Sequence, residues 1–216
     1  MDELFERLQE EYGVLDLSLV VDNLDVALFG CLVVSLPGQE ALKAFRTLKT
    51  QFVDWNEVRI SSAKEVQEVL REGSEPLELA LVIKDFLQLL FTELHHVGLD
   101  FLRDKTISDI RSFFKKKTRI EEPVVTLLLE RIKDYPAFPL EGGVQQCAEK
   151  LGLVAADATA VQAMKDVYAQ IDRSRILHWF VYLTDHHRAG CPSLKKSSPG
   201  KASPAAKSKA PRVSKK

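Results

Sequence analysis

The chain has 216 residues, 45% of them apolar and 28% charged, which is typical of a soluble globular protein with a sizeable core. The longest apolar run, Val26–Leu36, is about half of what a bilayer span requires. The acidic start, Met1–Glu6, is unlike a secretory signal peptide. We therefore expect neither a membrane-spanning nor a secreted protein. The expected location is the cytoplasm, and association with the nucleoid is an alternative.

The net charge of −1 conceals a division along the chain. From Arg188 onward there are nine Lys or Arg residues and no Asp or Glu, which leaves 21 basic and 31 acidic residues in 1–187. The field of such an acidic body repels DNA. Any contact with nucleic acid must therefore be local, or must be made by the basic tail.

The spacing of apolar residues predicts a succession of helices. The run at Leu24–Leu36 is apolar on nearly every side, so its Val and Leu content would also support a strand. Ser62 with Glu65 has the pattern of a capping box, and Gly98 is expected to close a long helix. The predicted helices are 2–12, Leu24–Leu36, Gln39–Phe52, Ala63–Arg71, Leu77–Val97, Thr106–Lys116, Glu121–Lys133, Glu141–Gly152, Asp157–Ile171 and Arg173–His187.

The cysteines and histidines predict no metal site. Cys31 and Cys147 lie in apolar sequence and are expected to be buried free thiols, and no pair of the three cysteines has metal-ligand spacing. The adjacent pairs His95-His96 and His186-His187 point about 100° apart on a helix, so neither pair can share a metal as an i,i+4 pair could.

Three short segments carry a resemblance to a known family. They are Asp54–Arg59 within Phe-Val-Asp-Trp-Asn-Glu-Val-Arg, Pro139–Glu141, and His178–Leu183. Together with the helix, turn and helix between Thr106 and Glu141, they resemble the endonuclease III (HhH-GPD) superfamily of base-excision DNA glycosylases. The resemblance implies an all-α protein with a two-lobed helical domain over 1–190, including a central lobe at about 22–140, followed by a tail over 191–216.

The same resemblance implies that lyase chemistry is lost. The family pattern Leu-Pro-Gly-Val-Gly-Arg-Lys falls opposite Lys117–Pro123, so both hairpin glycines are missing and Pro123 takes the place of the catalytic lysine. A proline side chain has no lone pair with which to attack a sugar. Of the four cysteines that hold an iron–sulfur cluster in many members, only Cys191 remains, so no cofactor is expected.

Glu141 stands where the family has its aspartate, and it is the candidate catalytic residue. It would orient a water molecule or stabilise a cationic sugar if it lies in a cleft. Alternatively, it is an acidic residue at a helix start with no catalytic role. Gln39 lies near the position of the family's DNA-wedging glutamine and is either that wedge or a plain helix-start residue. Trp55 and Val58 are interpreted as packing residues in preference to a direct DNA contact, and His178 and Trp179 as packing residues.

Two basic segments are the candidate DNA contacts. In the turn after the helix at Thr106–Lys116, cationic side chains favour phosphate, whereas Glu121 and Glu122 oppose it, so the turn is either a weak, salt-sensitive phosphate site or only a solvated basic turn. The tail is rich in Lys, Ser, Pro and Ala and is expected to be disordered. It either binds phosphates without reading sequence, or it is a solubilising segment or one that folds back on the acidic body. The predicted contacts are Lys115, Lys116, Lys117, Thr118, Arg119, Lys195, Lys196, Lys201, Lys207, Lys209, Arg212, Lys215 and Lys216.

Three functions are consistent with these residues. The first is a DNA-binding relative of the glycosylases without lyase activity. The second is a monofunctional glycosylase in which Glu141 activates water. The third is a helical scaffold whose tail binds acidic partners.

Overall fold

The computed structural model describes residues 1–70 and 76–194, and all regular structure in these ranges is helical, as predicted. Over the same ranges, no helix is long and apolar enough to cross a membrane. The helices are α1 (Asp2–Tyr12), α2 (Asn23–Ser35), α3 (Gly38–Gln51), α4 (Trp55–Ile60), α5 (Ala63–Val69), α6 (Pro76–Leu94), α7 (Ile107–Lys117), α8 (Glu122–Lys133), α9 (Gly143–Lys150), α10 (Ala160–Gln170) and α11 (Ile176–Arg188), with 3-10 helices at Asp100–Asp104 and Arg173–Arg175.

Local sequence sets several helix starts. The Ser62 hydroxyl accepts from the backbone N–H of Glu65, whose carboxylate accepts from the N–H of Ser62, so the capping box is confirmed. Thr106 and Asp109 form a second box at the start of α7. Pro123 lies in the first turn of α8, where the missing N–H removes no helical hydrogen bond.

The predicted end of the long helix is wrong. Helix α6 ends at Leu94, four residues before Gly98, because His95 adopts a left-handed backbone conformation with φ of 61°. This conformation is uncommon for a residue with a Cβ and interrupts the right-handed helix. Val97 is therefore only partly buried against the core, beyond the end of the helix.

Contacts between helices divide the described chain into two groups. In the central group, α2 packs on α3, α6 and α8, and α6 also packs on α4 and α5. In the terminal group, α11 packs on α1 and α9, and it joins the central group through α2 and α3. Every residue from Leu24 to Val33 is buried, so the apolar run is an enclosed helix rather than a strand.

A close approach and a buried carboxylate hold the central group together. A Cβ on Gly30 would lie 2.9 Å from a methyl of Val124, so the missing side chain allows α2 and α8 to approach. The buried Asp25 carboxylate accepts from the indole of Trp55 at 2.8 Å and from Lys49 at 2.9 Å. Trp55 is 8% exposed and Val58 is fully buried, so the predicted inward packing of both is confirmed.

A second buried carboxylate joins α11 to the central group. Both oxygens of Asp185 accept from the backbone N–H of Gly38 at 3.0 Å, in the first turn of α3. The Arg188 guanidinium donates to the same carboxylate at 2.7 Å and to the carbonyl of Val33 at 2.8 Å. This joint fixes the last turn of α11 against the end of α2, which positions the site described next.

The start of the predicted tail lies against the body. Arg7 donates to the carbonyl of Leu194 at 2.7 Å, and Leu194 packs against the core. Residues 195–216, which carry the predicted tail contacts, lie outside the described residues. The described body thus reaches at least to Leu194.

Candidate functional site

Helices α7 and α8 pack together and are joined by a four-residue turn at Thr118–Glu121. The Thr118 hydroxyl donates to the carbonyl of Phe114 and accepts from the N–H of Ile120 at 3.1 Å. Because Ile120 is buried, the turn is anchored in the core without the glycines of the family pattern. The hydroxyl of Thr118 is thereby engaged within the turn.

The predicted basic cluster is divided by its ion pairs. Lys117 donates to Glu93 at 2.9 Å, while Arg119 pairs with Asp85 at 2.7 Å and also with Glu78, all three acids lying on α6. Lys115 and Lys116 are exposed at the C-terminal end of α7 and form no ion pair with any of the described residues. Two of the four cations are therefore neutralised within the protein.

Glu141 lines a cavity of about 320 Å³ at the junction of the two helix groups. The residue is exposed, and in the described part of the chain no side-chain hydrogen bond or ion pair engages its carboxylate. The other lining residues are Val34, Glu121, Pro123, Pro139, Val144, Phe180, Thr184, His187 and Arg188.

The surroundings of Glu141 raise its pKa above the ordinary value of a glutamate. Partial burial of the carboxylate in the cavity wall is the larger cause, and the negative charge of Glu121 raises the pKa further, while Arg111 opposes both. Arg111 is itself paired with Glu122 and lies 5.6 Å from the ring centre of Tyr135. Glu141 and the like charge of Glu121 thus line one cavity, and the guanidinium of Arg111 pairs with Glu122 instead.

The predicted site residues are only partly brought together. Pro123 and Glu141, which stand opposite the family's lysine and aspartate, line the same cavity. Arg119 lines an adjacent cavity of about 460 Å³ that shares Val34 and Glu121 with the first. Lys116 and Lys117 border a different groove, with Phe101 and Phe113. The whole cationic cluster therefore does not face the acid across one groove.

The expectation of a free thiol at Cys147 is wrong. Cys147 and Cys191 form a disulfide with their Cα atoms 5.4 Å apart, and the His187 ring nitrogen lies within 4.8 Å of both sulfurs. The two cysteines are 44 residues apart in sequence, so no spacing rule could pair them. Cys31 is buried and free, and burial raises the pKa of its thiol to about 12.

These residues do not fit the four-iron cluster of the resembled family. Such a cluster is held by four cysteine thiolates. The chain has three cysteines, and only two of them converge. The iron–sulfur chemistry of the family therefore has no ligand set here.

Other singled-out residues have structural roles. The Gln39 amide donates to the carbonyls of Tyr12 and Val14, at 3.2 and 3.1 Å, which ties the start of α3 to the chain after α1. His178 contacts the carbonyl of Leu15 at 3.2 Å, and Trp179 is 2% exposed, so both pack as predicted. His95 and His96 are exposed and lie beyond α6.

Comparisons with known proteins place this arrangement in a known fold. No protein-family model matches the chain. A curated relative from Arabidopsis thaliana, named "Putative DNA glycosylase At3g47830", is 25% identical over 112 residues, which cover 52% of this chain and 38% of the relative. The chain therefore matches about two fifths of the length of that relative.

Two solved structures of endonuclease III with DNA are similar over nearly the whole chain. One is a trapped covalent intermediate with an estranged adenine, and the other is a non-covalent complex. Each aligns with a TM-score of 0.56 at 12% identity, covering 90% or 91% of this chain and 89% of endonuclease III. With the α7–α8 hairpin and the cavity that holds Pro123 and Glu141, these alignments identify the protein as one with an all-α, endonuclease III-like fold.

Proposed function

We propose that the protein binds DNA through its phosphate backbone, as a relative of the base-excision glycosylases that lacks lyase activity. The endonuclease III structures that share its fold are bound to DNA, and its curated relative is named as a DNA glycosylase. The proposed contact face is the C-terminal end of α7 and the turn that follows it.

The observation that carries this proposal is the pair Lys115 and Lys116, exposed and free of ion pairs with the described residues, beside the α7–α8 turn. An unpaired lysine can neutralise a phosphate and release a counterion without first losing an internal partner. Lys117 and Arg119 would have to exchange the carboxylates of α6 for phosphate. We therefore assign the larger part of the contact to Lys115 and Lys116.

The tail is the second proposed contact. Its eight Lys and Arg residues from Lys195 onward would add salt-sensitive affinity without sequence preference. Because Cys191 is bonded to Cys147 and Leu194 contacts the body, a clean truncation must begin after Leu194.

The test measures the affinity for a labelled duplex by fluorescence anisotropy across a range of salt concentrations. The variant Lys115→Ala/Lys116→Ala should bind DNA several-fold more weakly. The slope of the logarithm of its affinity against the logarithm of the salt concentration should be smaller in magnitude by about 1.8, since each phosphate contact contributes about 0.9. The matched control is Lys64→Ala/Lys165→Ala, which removes two exposed lysines from α5 and α10. Equal losses in both variants would indicate a general charge effect and contradict the proposed face.

The scaffold alternative is tested in the same assay. Deletion of 195–216 should weaken DNA binding several-fold and flatten its salt dependence further. Heparin, a polyanion without bases or a regular duplex, serves as the competitor. If the protein binds heparin and DNA equally well when the two are compared at equal concentrations of negative charge, a scaffold for acidic partners explains the binding better.

A second candidate function is hydrolytic excision of a base by Glu141. The observation that favours it is the cavity itself, which is lined by both Glu141 and Pro123, the residues that the sequence resemblance sets opposite the family's acid and lysine. Hydrolysis of an N-glycosidic bond requires a carboxylate that activates water or stabilises the cationic sugar, but no amine. Excision from a panel of damaged-base duplexes, abolished in Glu141→Gln, is the expected result for this function.

The cavity also permits a gain-of-function experiment. A lysine in place of Pro123 would add an amine to the cavity that Glu141 also lines, where it could condense with the aldehyde of an abasic site and lose water to give an imine. Borohydride would then trap a covalent protein–DNA adduct. Pro136→Lys, at an exposed position between α8 and α9, is the control. No adduct from Pro123→Lys at DNA concentrations that saturate binding would mean that this cavity does not meet the sugar.

A further inference from the structure

Three potential metal ligands converge where α9 meets the end of α11. Cys147 lies in the middle of α9, His187 in the last turn of α11, and Cys191 three residues beyond that helix. One ligand atom from each lies within 4.8 Å of the other two. Cys147 is buried, whereas Cys191 is half-buried and His187 is exposed, so the cluster opens to solvent on one side.

A glycine makes room for the imidazole. The His187 ring lies so close to Gly143 that a Cβ at that position would overlap its Cε1 atom. Gly143 begins α9 and precedes Cys147 by four residues, so the two lie on the same face of the helix. The absent side chain thus lets His187 lie beside the sulfur of Cys147.

The backbone of Cys191 also has an unusual conformation. Its φ is 55°, in the left-handed region, which residues with a Cβ seldom adopt. Its N–H donates to the carbonyl of His186 at 2.9 Å, which folds the chain back over the last turn of α11. This fold brings the Cys191 sulfur to His187 and Cys147 rather than into the tail.

We propose that, with the disulfide reduced, Cys147, Cys191 and His187 bind one zinc ion, with water as the fourth ligand. Tetrahedral zinc with Zn–S of about 2.3 Å and Zn–N of about 2.0–2.1 Å requires ligand atoms roughly 3.3–3.8 Å apart. The His187 ring nitrogen lies within 4.8 Å of both sulfurs, and the two sulfurs, which are bonded to each other in the disulfide, move apart to the spacing that zinc requires once the bond is reduced. Two thiolates also balance the charge of the ion, so the site adds no net charge to the half-buried cluster.

The disulfide and the zinc site are alternative states of the same residues. A dithiol reduces the bond with two electrons and two protons, is itself oxidised to a disulfide, and leaves two thiols. Zinc then displaces the two thiol protons and binds the thiolates. Oxidation would release the ion. In both states the middle of α9 stays tied to the chain just after α11. The inference does not depend on the proposed DNA binding.

The experiment titrates the full chain with zinc after reduction by a phosphine, because dithiols compete for the metal. We expect one zinc ion per chain when reduced and none after reoxidation. Cobalt should give the visible bands of a tetrahedral ion and a thiolate charge-transfer band. His187→Ala, which changes an exposed residue, should weaken zinc binding at least tenfold, and Gly143→Ala should also weaken it by displacing the imidazole.

Two controls separate this site from adventitious binding. His95→Ala removes an exposed histidine elsewhere, and Cys31→Ala removes the free thiol, and both should keep one zinc ion of unchanged affinity. If the reduced protein frees its thiols but binds zinc no more tightly than His187→Ala does, the cluster is only a disulfide and the inference is wrong.

Discussion

Two carboxylates near the end of α11 occupy opposite kinds of environment. Asp185 is buried, and its oxygens accept from the Gly38 N–H and from Arg188. Glu141 lies in a cavity wall, unpaired with any described side chain and facing the charge of Glu121. Burial is the first cause that raises the pKa of both. The buried carboxylate of Asp185 therefore holds two groups of helices together, whereas the carboxylate of Glu141 makes no such link among the described residues.

The largest expected difference between the two is in stability. Asp185→Ala should lower the free energy of unfolding by about 3 kcal/mol, because it leaves a buried N–H and a guanidinium without their acceptor. Glu141→Gln should change it by less than about 0.5 kcal/mol, since no pairing is lost and a like-charge contact is relieved. Urea denaturation measures both. A large loss in Glu141→Gln would mean that this residue is structural.

The next effect concerns Gly38, whose backbone N–H donates to Asp185. A Cβ on Gly38 would lie 2.7 Å from Oδ2 of Asp185 and overlap the Val181 side chain. Gly38→Ala should therefore cost about 2 kcal/mol by overpacking. Gln39→Ala, which removes only an exposed amide from the same turn, should cost less than half as much. The two variants are compared by their midpoints of thermal unfolding, and equal shifts would refute close packing at Gly38.

A smaller effect tests the conflict between the two glutamates. Glu121→Gln removes the like charge that raises the pKa of Glu141, so that pKa should fall toward its ordinary value, while burial keeps it from falling completely. Arg111→Gln should move the same pKa upward, because the guanidinium opposes the rise. NMR titration of the Glu141 side chain measures both shifts. Glu149→Gln on α9 is the control, and its effect on this pKa should be negligible.

The smallest expected effect is the dependence of stability on pH that His178 of α11 contributes. Burial lowers the pKa of His178, so the unfolded chain takes up a proton near pH 6.5 while the folded chain does not. At pH values between the pKa of His178 in the unfolded chain and its lower pKa in the folded chain, the unfolded state binds more protons. The free energy of unfolding therefore falls as the pH is lowered through this interval.

Replacing this histidine should flatten that dependence. His178→Gln should reduce the slope below about pH 6.5 by at most about 1.4 kcal/mol per pH unit, the value for one proton. Burial also lowers the pKa of His186, so the variant would keep the part of the slope that His186 contributes. Urea midpoints between pH 7 and 5 measure the change, and an unchanged slope would show that His178 does not contribute.

Much of the helical architecture could be predicted from the sequence. Apolar spacing and local caps specified α2, α3, α5 and α8 to within two residues, because these signals act between neighbours along the chain. The end of α6 was missed, because the left-handed turn at His95 has no glycine to mark it. The predicted packing of Trp55 was correct, although its acceptor, Asp25, could not be identified from spacing.

Residue patterns along the chain were thus enough to predict most of the helices, and the family resemblance drew attention to Pro123 and Glu141. Which side chains meet in space depends on the tertiary structure. Lys117 and Arg119 pair with acids of α6, Glu141 lies near the charge of Glu121, and Cys147 meets Cys191 and His187. The two kinds of interaction differ in how far apart along the chain their residues lie. Helix formation depends on residues three or four positions apart, whereas pairing and pKa depend on distances in space between residues far apart in the chain.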